Sequence, residues 1–237
     1  PNASGIRKNP DCAMLGISTT GLPATLFLAG PTGSGKSAVA VELAEMLGAE
    51  IVGSDAYQVY RELPILTAAP SPEDRARVPH HMVSIIPARM PWDATEHYHR
   101  AMRCVKDIHA RGKTAIVTGG SGLYFKFLSH GMSEAPPGDA ALRAARMMQE
   151  GAVEEAAALG PCSATAERTL GLALIRSLLR GEITRETCQS QLALATRQYA
   201  KRQRTWLKRE QWLRELPAAP SASPRELAKC IIRELEH

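Results

Sequence analysis

The first half of the chain alternates short apolar segments with helical patterns. Thr25–Ala29 is a largely apolar run that stops at a glycine, as is typical of a buried strand. Lys36–Leu47 has apolar residues at helical spacing, and residues 51–52 form another short apolar segment. This order predicts a strand, a loop, a helix and a second strand.

The same alternation continues to about residue 129. Residues 82–86 are a candidate third strand, and residues 96–111 follow a helical pattern that Gly112 ends. Residues 114–117 predict a further buried strand, which runs into two glycines. Strands that alternate with helices predict an α/β fold in which helices cover both faces of a parallel sheet.

The second half of the chain has a different character. Pro136, Pro137 and Gly138 interrupt it, and the following residues are rich in Ala, Leu, Arg and Glu without a strand pattern. We therefore expect a mostly helical C-terminal part, whose longest helix covers residues 185–213 with Thr184 as its N-cap. Residues 1–23 are interpreted as a loose N-terminal lead, and residues 216–237 as a tail whose last three residues resemble the start of a histidine tag.

The composition of the 237-residue chain narrows the class of protein. Its 44% hydrophobic and 22% charged residues are ordinary for a soluble globular protein, and no apolar run is long enough to cross a bilayer. Its five cysteines are widely separated and form no zinc-binding pair, which fits a reducing cytosol. The net charge of +5 suits a phosphate-rich partner, although a merely basic protein is equally consistent with it.

The segment between the first predicted strand and the first predicted helix matches the P-loop pattern G-x-x-x-x-G-K-[ST] at every fixed position. Its glycines let backbone N–H groups turn inward around phosphate oxygens, and the helix N-terminus adds positive potential. The lysine supplies a point charge, and the final hydroxyl can bind Mg²⁺. The segment therefore predicts a phosphate site with Mg²⁺ as cofactor, formed by Gly30, Pro31, Thr32, Gly33, Ser34, Gly35, Lys36 and Ser37.

A P-loop alone is typical of nucleotide-binding proteins that hydrolyse ATP or transfer its phosphate. Such proteins need a later strand that ends in an Asp to hold Mg²⁺, whereas the strand at residues 114–117 runs into Thr118 and two glycines. The acid that follows a predicted strand is Asp55. The ligand of this P-loop is therefore left open by the motif.

Five further segments follow the P-loop in order, and together they carry a resemblance to a known family. The segments are Ser54-Asp55-Ala56-Tyr57-Gln58-Val59-Tyr60-Arg61, Thr67-Ala68-Ala69-Pro70, Val78-Pro79-His80-His81, Gly119-Gly120-Ser121-Gly122-Leu123-Tyr124 and Ala195-Thr196-Arg197-Gln198-Tyr199-Ala200-Lys201-Arg202-Gln203. With the P-loop they closely resemble the tRNA dimethylallyltransferases, also called tRNA isopentenyltransferases, over residues 25–143 and 168–210.

The resemblance implies an enzyme that transfers a dimethylallyl group from dimethylallyl diphosphate to N6 of adenosine 37 in tRNA. The P-loop then holds a prenyl diphosphate, because a diphosphate leaving group needs the same amides, lysine and Mg²⁺. Adenine N6 is a poor nucleophile, so a base that takes its proton helps, and Asp55 matches the catalytic Asp of the family. From the residues alone, Asp55 is also a possible N-cap or Mg²⁺ ligand.

Further site residues follow from the resemblance. Ser121 replaces a threonine that offers its hydroxyl to the substrate, and Arg202 would reach the diphosphate. Gln58 is able to read an adenine edge through two amide hydrogen bonds. A tRNA contact is expected at Asp55, Ala56, Tyr57, Gln58, Ser121, Arg143, Arg197 and Lys201.

The last motif also predicts a basic stripe. Arg197, Lys201, Arg204 and Lys208 fall on one face of the predicted helix, which suits an RNA backbone or simply a solvated surface. The expected partners are the anticodon stem-loop of tRNA and dimethylallyl diphosphate, without a membrane. We expect a monomer in the cytoplasm.

The chain departs from the family pattern at three places. Ala56 replaces a serine, Ala69 replaces a lysine, and only about two dozen residues separate Arg143 from Arg168, where the family carries a longer helical insertion that grips the anticodon stem-loop. We therefore interpret residues 24–135 and 168–215 as the catalytic core, and residues 136–167 as a shortened or incomplete insertion. Three alternatives stay open: a small-molecule P-loop kinase, an adenylate isopentenyltransferase and a non-catalytic RNA-binding relative.

Overall fold

The computed structural model describes residues 25–120, 140–207 and 222–235, and the backbone of residues 14–18 and 214–215. The described strands form a single sheet in the order β4-β3-β5-β2-β1-β6. Strands β4, β3, β5 and β2 are parallel, whereas β1 runs antiparallel to both β2 and β6. The strands are β1 (Met14–Ser18), β2 (Thr25–Ala29), β3 (Glu50–Gly53), β4 (His80–His81), β5 (Ala115–Gly119) and β6 (Arg214–Glu215).

Helices cover both faces of this sheet, so the predicted α/β class is confirmed. Along β2, Leu26 and Leu28 pack into one hydrophobic cluster and Phe27 and Ala29 into the other, as the two-residue period of a strand requires. The described helices are α1 (Lys36–Leu47), α2 (Pro72–Arg77), α3 (Ala94–Ala110), α4 (Ala140–Gln149), α5 (Ala152–Ala158), α6 (Leu172–Leu179), α7 (Arg185–Leu207) and α8 (Pro224–Leu235).

Local signals explain where the main helices begin. Helix α1 follows Gly35, whose φ of 78° is left-handed, and α3 follows Asp93, whose carboxylate accepts hydrogen bonds from the amides of Thr95 and Glu96. The predicted cap of α7 is confirmed, because the Thr184 hydroxyl accepts a hydrogen bond of 3.2 Å from the Thr187 amide. Helix α7 reaches Leu207, and the rest of its predicted span, residues 208–213, lies outside the described residues.

One predicted strand is wrong. Residues 82–86 are not extended, because Met82 and Ser84 have φ values of 65° and 53°, in the left-handed region that a strand cannot accommodate. The strand lies just before them, at His80–His81, where it pairs with β3. Ile86 adds an isolated bridge to Tyr60.

Both ends of the chain contribute more to the fold than the sequence suggested. The lead includes β1, which pairs with β2 along its full length, and β6 is a strand in the half expected to be helical. The supposed tail contains α8, whose Ala228 and Ile231 are buried against α1. Apolar residues at helical spacing across α8 are a sequence signal for such a buried helix. Residues 236–237 lie outside the described part.

Helices α4 and α5, within the expected insertion, share the hydrophobic cluster of the catalytic core. Ala144, Met147 and Ala152 are buried in the same cluster as Val117 of β5. Residues 121–139, which link the sheet to these helices, lie outside the described residues. None of the helices in the described part of the chain combines the length and apolar character needed to cross a bilayer.

A buried carboxylate lies at the amino end of the central strands. Glu50 is 2% exposed, and Arg111 pairs with both its carboxylate oxygens. The Arg111 hydrogen bonds hold the pKa of Glu50 far below its usual range, with further bonds from His81 Nε2 at 2.8 Å and Lys113 Nζ at 3.0 Å. We refer to these four residues as the Glu50 cluster, which lies at the opposite end of β3 from Asp55.

Candidate active site

The P-loop lies between β2 and α1, as predicted. Gly33 and Gly35 have φ values of 85° and 78°, which only glycine adopts at little cost. Helix α1 carries no acidic residue in its first turn, so the positive end of its dipole is not offset locally. The loop therefore presents a helix N-terminus to the carboxyl edge of the parallel sheet, where α/β folds bind their ligands.

Lys36 occupies a desolvated position in this loop. Burial lowers the pKa of its amino group to about 8, the Asp55 carboxylate raises it, and the Arg143 guanidinium lowers it further. Its Nζ lies 3.5 Å from the carbonyl oxygen of Pro31. An anion bound at the loop would favour the charged form of Lys36, so the site gains electrostatic stabilisation when a phosphate group enters.

Asp55 lies just beyond the end of β3. Its Oδ1 accepts a hydrogen bond of 2.9 Å from the amide of Tyr57, which is the local turn that Asp commonly forms with its own backbone. In the described chain no helix begins between Asp55 and Pro72, so Asp55 is not an N-cap. The neighbouring Ser54 amide bonds to the Thr118 carbonyl at 2.7 Å, which fixes this segment beside β5.

Arg143 completes a charged group with Asp55 and Lys36. Burial lowers the pKa of the Arg143 guanidinium, while the Asp55 carboxylate and then Tyr199 raise it. Its Nε is buried without a hydrogen-bond partner among the described residues. The sequence placed Arg143 among the tRNA contacts, and the structure places it close enough to Asp55 and Lys36 for their charges to interact.

Helix α7 carries further cations, and these are exposed to solvent. Arg197 and Lys201, four residues apart, are both exposed. Arg202 is also exposed, and its guanidinium lies over the Tyr199 ring at 5.8 Å from the centroid. The structure does not test the predictions for three further residues. Ser121, the Arg204 side chain and Lys208 lie outside the described residues.

Gln58 joins two of the sequence motifs. Its Nε2 donates to the carbonyl oxygens of Thr67 and Ala68, at 3.3 and 3.1 Å. The neighbouring Ala56 and Tyr57 are half-buried against the larger hydrophobic cluster. A bidentate contact of Gln58 with adenine would require its amide donor to leave these carbonyls.

Gln203, the last residue of the fifth motif, is a site residue for which the sequence predicted no role. It is 3% exposed, its Oε1 accepts a 2.9 Å hydrogen bond from the Thr32 amide, and its Nε2 donates to the Gly120 carbonyl at 2.6 Å. The helical period offered a signal, because Gln203 continues the buried face of α7 that contains Thr196 and Ala200.

A small cleft lies beside the P-loop. It is lined by Lys36, Ser37, Gln58, His80 and Thr118, together with small and apolar residues. The Thr118 hydroxyl is buried without a partner among the described residues, as are the hydroxyls of Ser34 and Ser54. Unpartnered buried hydroxyls are uncommon, and they suit a site that takes a polar ligand.

The same residues bear on Mg²⁺ binding. Strand β5 is the direct neighbour of β2, and it offers the Thr118 hydroxyl where an ATP-hydrolysing P-loop protein has a carboxylate. No group of three or more His, Cys, Asp or Glu in the described residues could hold a metal. The Ser37 hydroxyl fits a hydrated Mg²⁺, which in such sites is held mainly by phosphate oxygens and water.

Comparison with known proteins identifies the family. A family model described as IPP transferase matches residues 58–145 and 139–210. A tRNA dimethylallyltransferase of Akkermansia muciniphila is 63% identical over 293 aligned residues, which cover 90% of this chain and all of that protein. The chain belongs to this family. The resemblance inferred from the ordered motifs is therefore confirmed.

Two further members show how far the similarity extends. A tRNA dimethylallyltransferase of Syntrophobacter fumaroxidans is 42% identical over 165 residues, which cover 70% of this chain but 43% of that relative. The crystal structure of a tRNA delta(2)-isopentenylpyrophosphate transferase from Staphylococcus epidermidis has a TM-score of 0.74 and 22% identity, covering 89% of this chain and 98% of that one. At this identity, the structural match shows the shared fold of the family.

Proposed function

We propose that this chain transfers the dimethylallyl group of dimethylallyl diphosphate to the exocyclic N6 of adenosine 37 in tRNA. Membership of a transferase family, with a 63% identical tRNA dimethylallyltransferase, supports prenyl transfer to tRNA. The observation that carries the chemistry is the charged group of Asp55, Lys36 and Arg143 beside the P-loop. It combines a carboxylate, which would act as the base, with two cations.

The P-loop would hold the diphosphate of the prenyl donor. Amides at the start of α1, the Lys36 ammonium and the Arg143 guanidinium would stabilise the charge that develops as the allylic C–O bond breaks. Mg²⁺ bound at Ser37 would supply further neutralisation of the leaving diphosphate. The electron pair of the broken bond stays on the diphosphate oxygen, and N6 of adenine forms the new bond to carbon.

Asp55 would take the proton that N6 loses. The Tyr57 amide donates a hydrogen bond of 2.9 Å to Asp55 Oδ1, and this bond fixes the orientation of the carboxylate. Oδ2 would then be the oxygen that accepts the proton of the incoming amine. A base held in this way lowers the barrier because N6, whose lone pair is delocalised into the adenine ring, becomes more nucleophilic as its proton is removed.

The exposed cations of α7 would bind the tRNA backbone. Arg197 and Lys201 lie on the outer surface of the helix whose inner face reaches the P-loop. The two family segments meet at residues 139–145, and the alignment of 293 residues is longer than this chain, so the Akkermansia relative has residues that this chain lacks. With a shorter helical segment after Arg143, we expect weak, salt-dependent binding of the anticodon stem-loop. The monomeric state and the cytoplasmic location stay predictions.

One experiment tests the proposed reaction. The protein is incubated with Mg²⁺, dimethylallyl diphosphate and a tRNA with adenosines at positions 36 to 38, and mass spectrometry looks for N6-dimethylallyladenosine. We expect Asp55→Asn to lower kcat by about 100-fold or more while tRNA binding stays within a few-fold, because only the base is lost. Asp107→Asn, an exposed position on α3, is the matched control.

Other outcomes identify the alternatives. Phosphate transfer from ATP without use of the prenyl donor would indicate a small-molecule kinase. Preferential prenylation of free AMP would indicate an adenylate isopentenyltransferase. Binding of tRNA without any product from the unaltered chain would indicate a non-catalytic relative, and each of these results would refute the proposal.

A further inference from the structure

Gln203 connects three parts of the molecule that are distant in sequence. Its side-chain amide lies between the P-loop and the end of β5, with one hydrogen bond to each. The side chain starts on α7, the helix that carries Arg197 and Lys201 on its outer face. We propose that Gln203 is a positioning residue, which holds the start of the P-loop in the conformation that binds the diphosphate.

The chemistry of the amide matches this position closely. The Thr32 N–H needs an acceptor and the Gly120 carbonyl needs a donor, and glutamine supplies one of each from the same planar group. Glutamate lacks the donor, and methionine lacks both although its side chain has a similar length. Because Gln203 is 3% exposed, neither backbone group would regain water readily if the amide were lost.

Gly120 leaves room for this amide. A Cβ at Gly120 would lie 2.4 Å from Gln203 Nε2 and 3.2 Å from the Gly30 carbonyl oxygen, so any side chain there would displace the amide. The P-loop, the end of β5 and Gln203 therefore meet at a point where only glycine fits. An alanine at position 120 disturbs the Gln203 contacts while Gln203 itself is present.

The hydrogen bond to Thr32 also separates two roles among the backbone amides of the P-loop. Since the Thr32 N–H donates to Gln203, it is not a phosphate ligand. The amides that bind the diphosphate then come from residues 33–37, nearer the start of α1. Gln203 fixes the first residues of the loop, and the amides that follow bind the diphosphate.

The test measures binding of inorganic pyrophosphate with Mg²⁺ by calorimetry. We expect Gln203→Met to raise the pyrophosphate Kd about tenfold, which is the scale of one or two lost buried hydrogen bonds, while the tRNA Kd stays within twofold. Gln203→Glu should weaken binding at least as much, because it cannot donate to Gly120 and adds a negative charge near the anion. Gln191→Met, an exposed glutamine on the same helix, should match the unaltered chain.

Gly120→Ala provides a second route to the same result. We expect it to weaken pyrophosphate binding to a similar degree, and this remains measurable if the Gln203 variants fail to fold. Pyrophosphate affinity within twofold of the unaltered chain in Gln203→Met would overturn the proposal, and so would a lower Tm without a change in affinity. An equal loss of tRNA and pyrophosphate affinity would also overturn it.

This inference rests on the proposed function for its substrate, but the two fail separately. If the unaltered chain binds pyrophosphate through Gln203 and yields no prenylated tRNA, the reaction is refuted and the role of Gln203 stands. If prenylated tRNA forms and the KM for dimethylallyl diphosphate is unchanged in Gln203→Met, the role of Gln203 is refuted and the reaction stands.

Discussion

His97 makes the stability of the fold depend on pH. Its ring is fully buried on α3, edge-on to Trp92 with 5.8 Å between centroids, and the Trp92 indole N–H donates to its Nδ1 at 3.4 Å. Burial lowers the pKa of His97 to about 4, against a smaller opposing effect of a hydrogen bond with the Gly53 backbone. Arg100 lies over the same indole, 5.3 Å from the ring centroid, and so adds a positive charge nearby.

The sign and size of the effect follow from the two pKa values. The unfolded chain takes up a proton on this histidine near pH 6.5, whereas the folded chain does so near pH 4. His97 therefore contributes its full stability above pH 6.5, and this contribution is lost as the pH falls from 6.5 to 4. At about 1.4 kcal/mol per pH unit, the complete loss is about 3 kcal/mol, of which about 2 kcal/mol is lost by pH 5.

Urea unfolding at pH 7.5, 6 and 5 measures this contribution. His97→Gln removes the titrating ring, so we expect its free energy of unfolding to fall about 2 kcal/mol less than that of the unaltered chain between pH 7.5 and 5. His99→Gln, at an exposed position on the same helix, should keep the unaltered dependence. Glu50 itself contributes little in this range, because its carboxylate loses stability only below the unfolded pKa of about 4.3. Parallel pH profiles for His97→Gln and the unaltered chain would refute the reasoning.

Three further predictions concern the charged groups. Glu50→Gln should lower the free energy of unfolding at pH 7 by about 2 kcal/mol in urea titrations, because the buried side chain loses its charge-assisted hydrogen bonds to Arg111, His81 and Lys113, and a loss below about 0.5 kcal/mol would contradict this. Lys36→Met should weaken pyrophosphate binding by about tenfold or more in calorimetry, since the ligand loses its main point charge, while Tm stays the same or rises as a buried cation is removed. Arg197→Ala and Lys201→Ala should each reduce the slope of log K for tRNA against log salt by about 0.7 to 0.9, whereas Arg103→Ala on α3 should leave that slope unchanged.

Local sequence signals predicted the parts of the fold that depend on neighbouring residues. The P-loop, β2 and α1 follow from an apolar run, glycines and a helical period within about two dozen residues, and the structure places all three as expected. The cap at Thr184 has the same local origin. The class of fold then follows, because the alternation of such units leaves few arrangements of a parallel sheet.

Contacts between distant residues could not be predicted in the same way. Thr32 and Gln203 are 171 positions apart, and their hydrogen bond depends on how α7 packs against the sheet. The proximity of Arg143 to Asp55 likewise depends on where α4 lies. The prediction of a strand at residues 82–86 was wrong for another reason. The segment has the β-branched and apolar composition of a strand, but Met82 and Ser84 adopt left-handed φ values, which an extended strand cannot contain.

The position of α8 changes what the C-terminal residues mean for the phosphate site. Ala228 and Ile231 lie in the hydrophobic cluster that joins α1 to the sheet, so the last described helix helps to hold α1 in place. The first turn of α1 is the positive end that receives the diphosphate. The orientation of that dipole thus depends in part on packing with residues almost two hundred positions further along the chain. A truncation or a fusion placed before Pro224 would loosen the phosphate-binding helix itself.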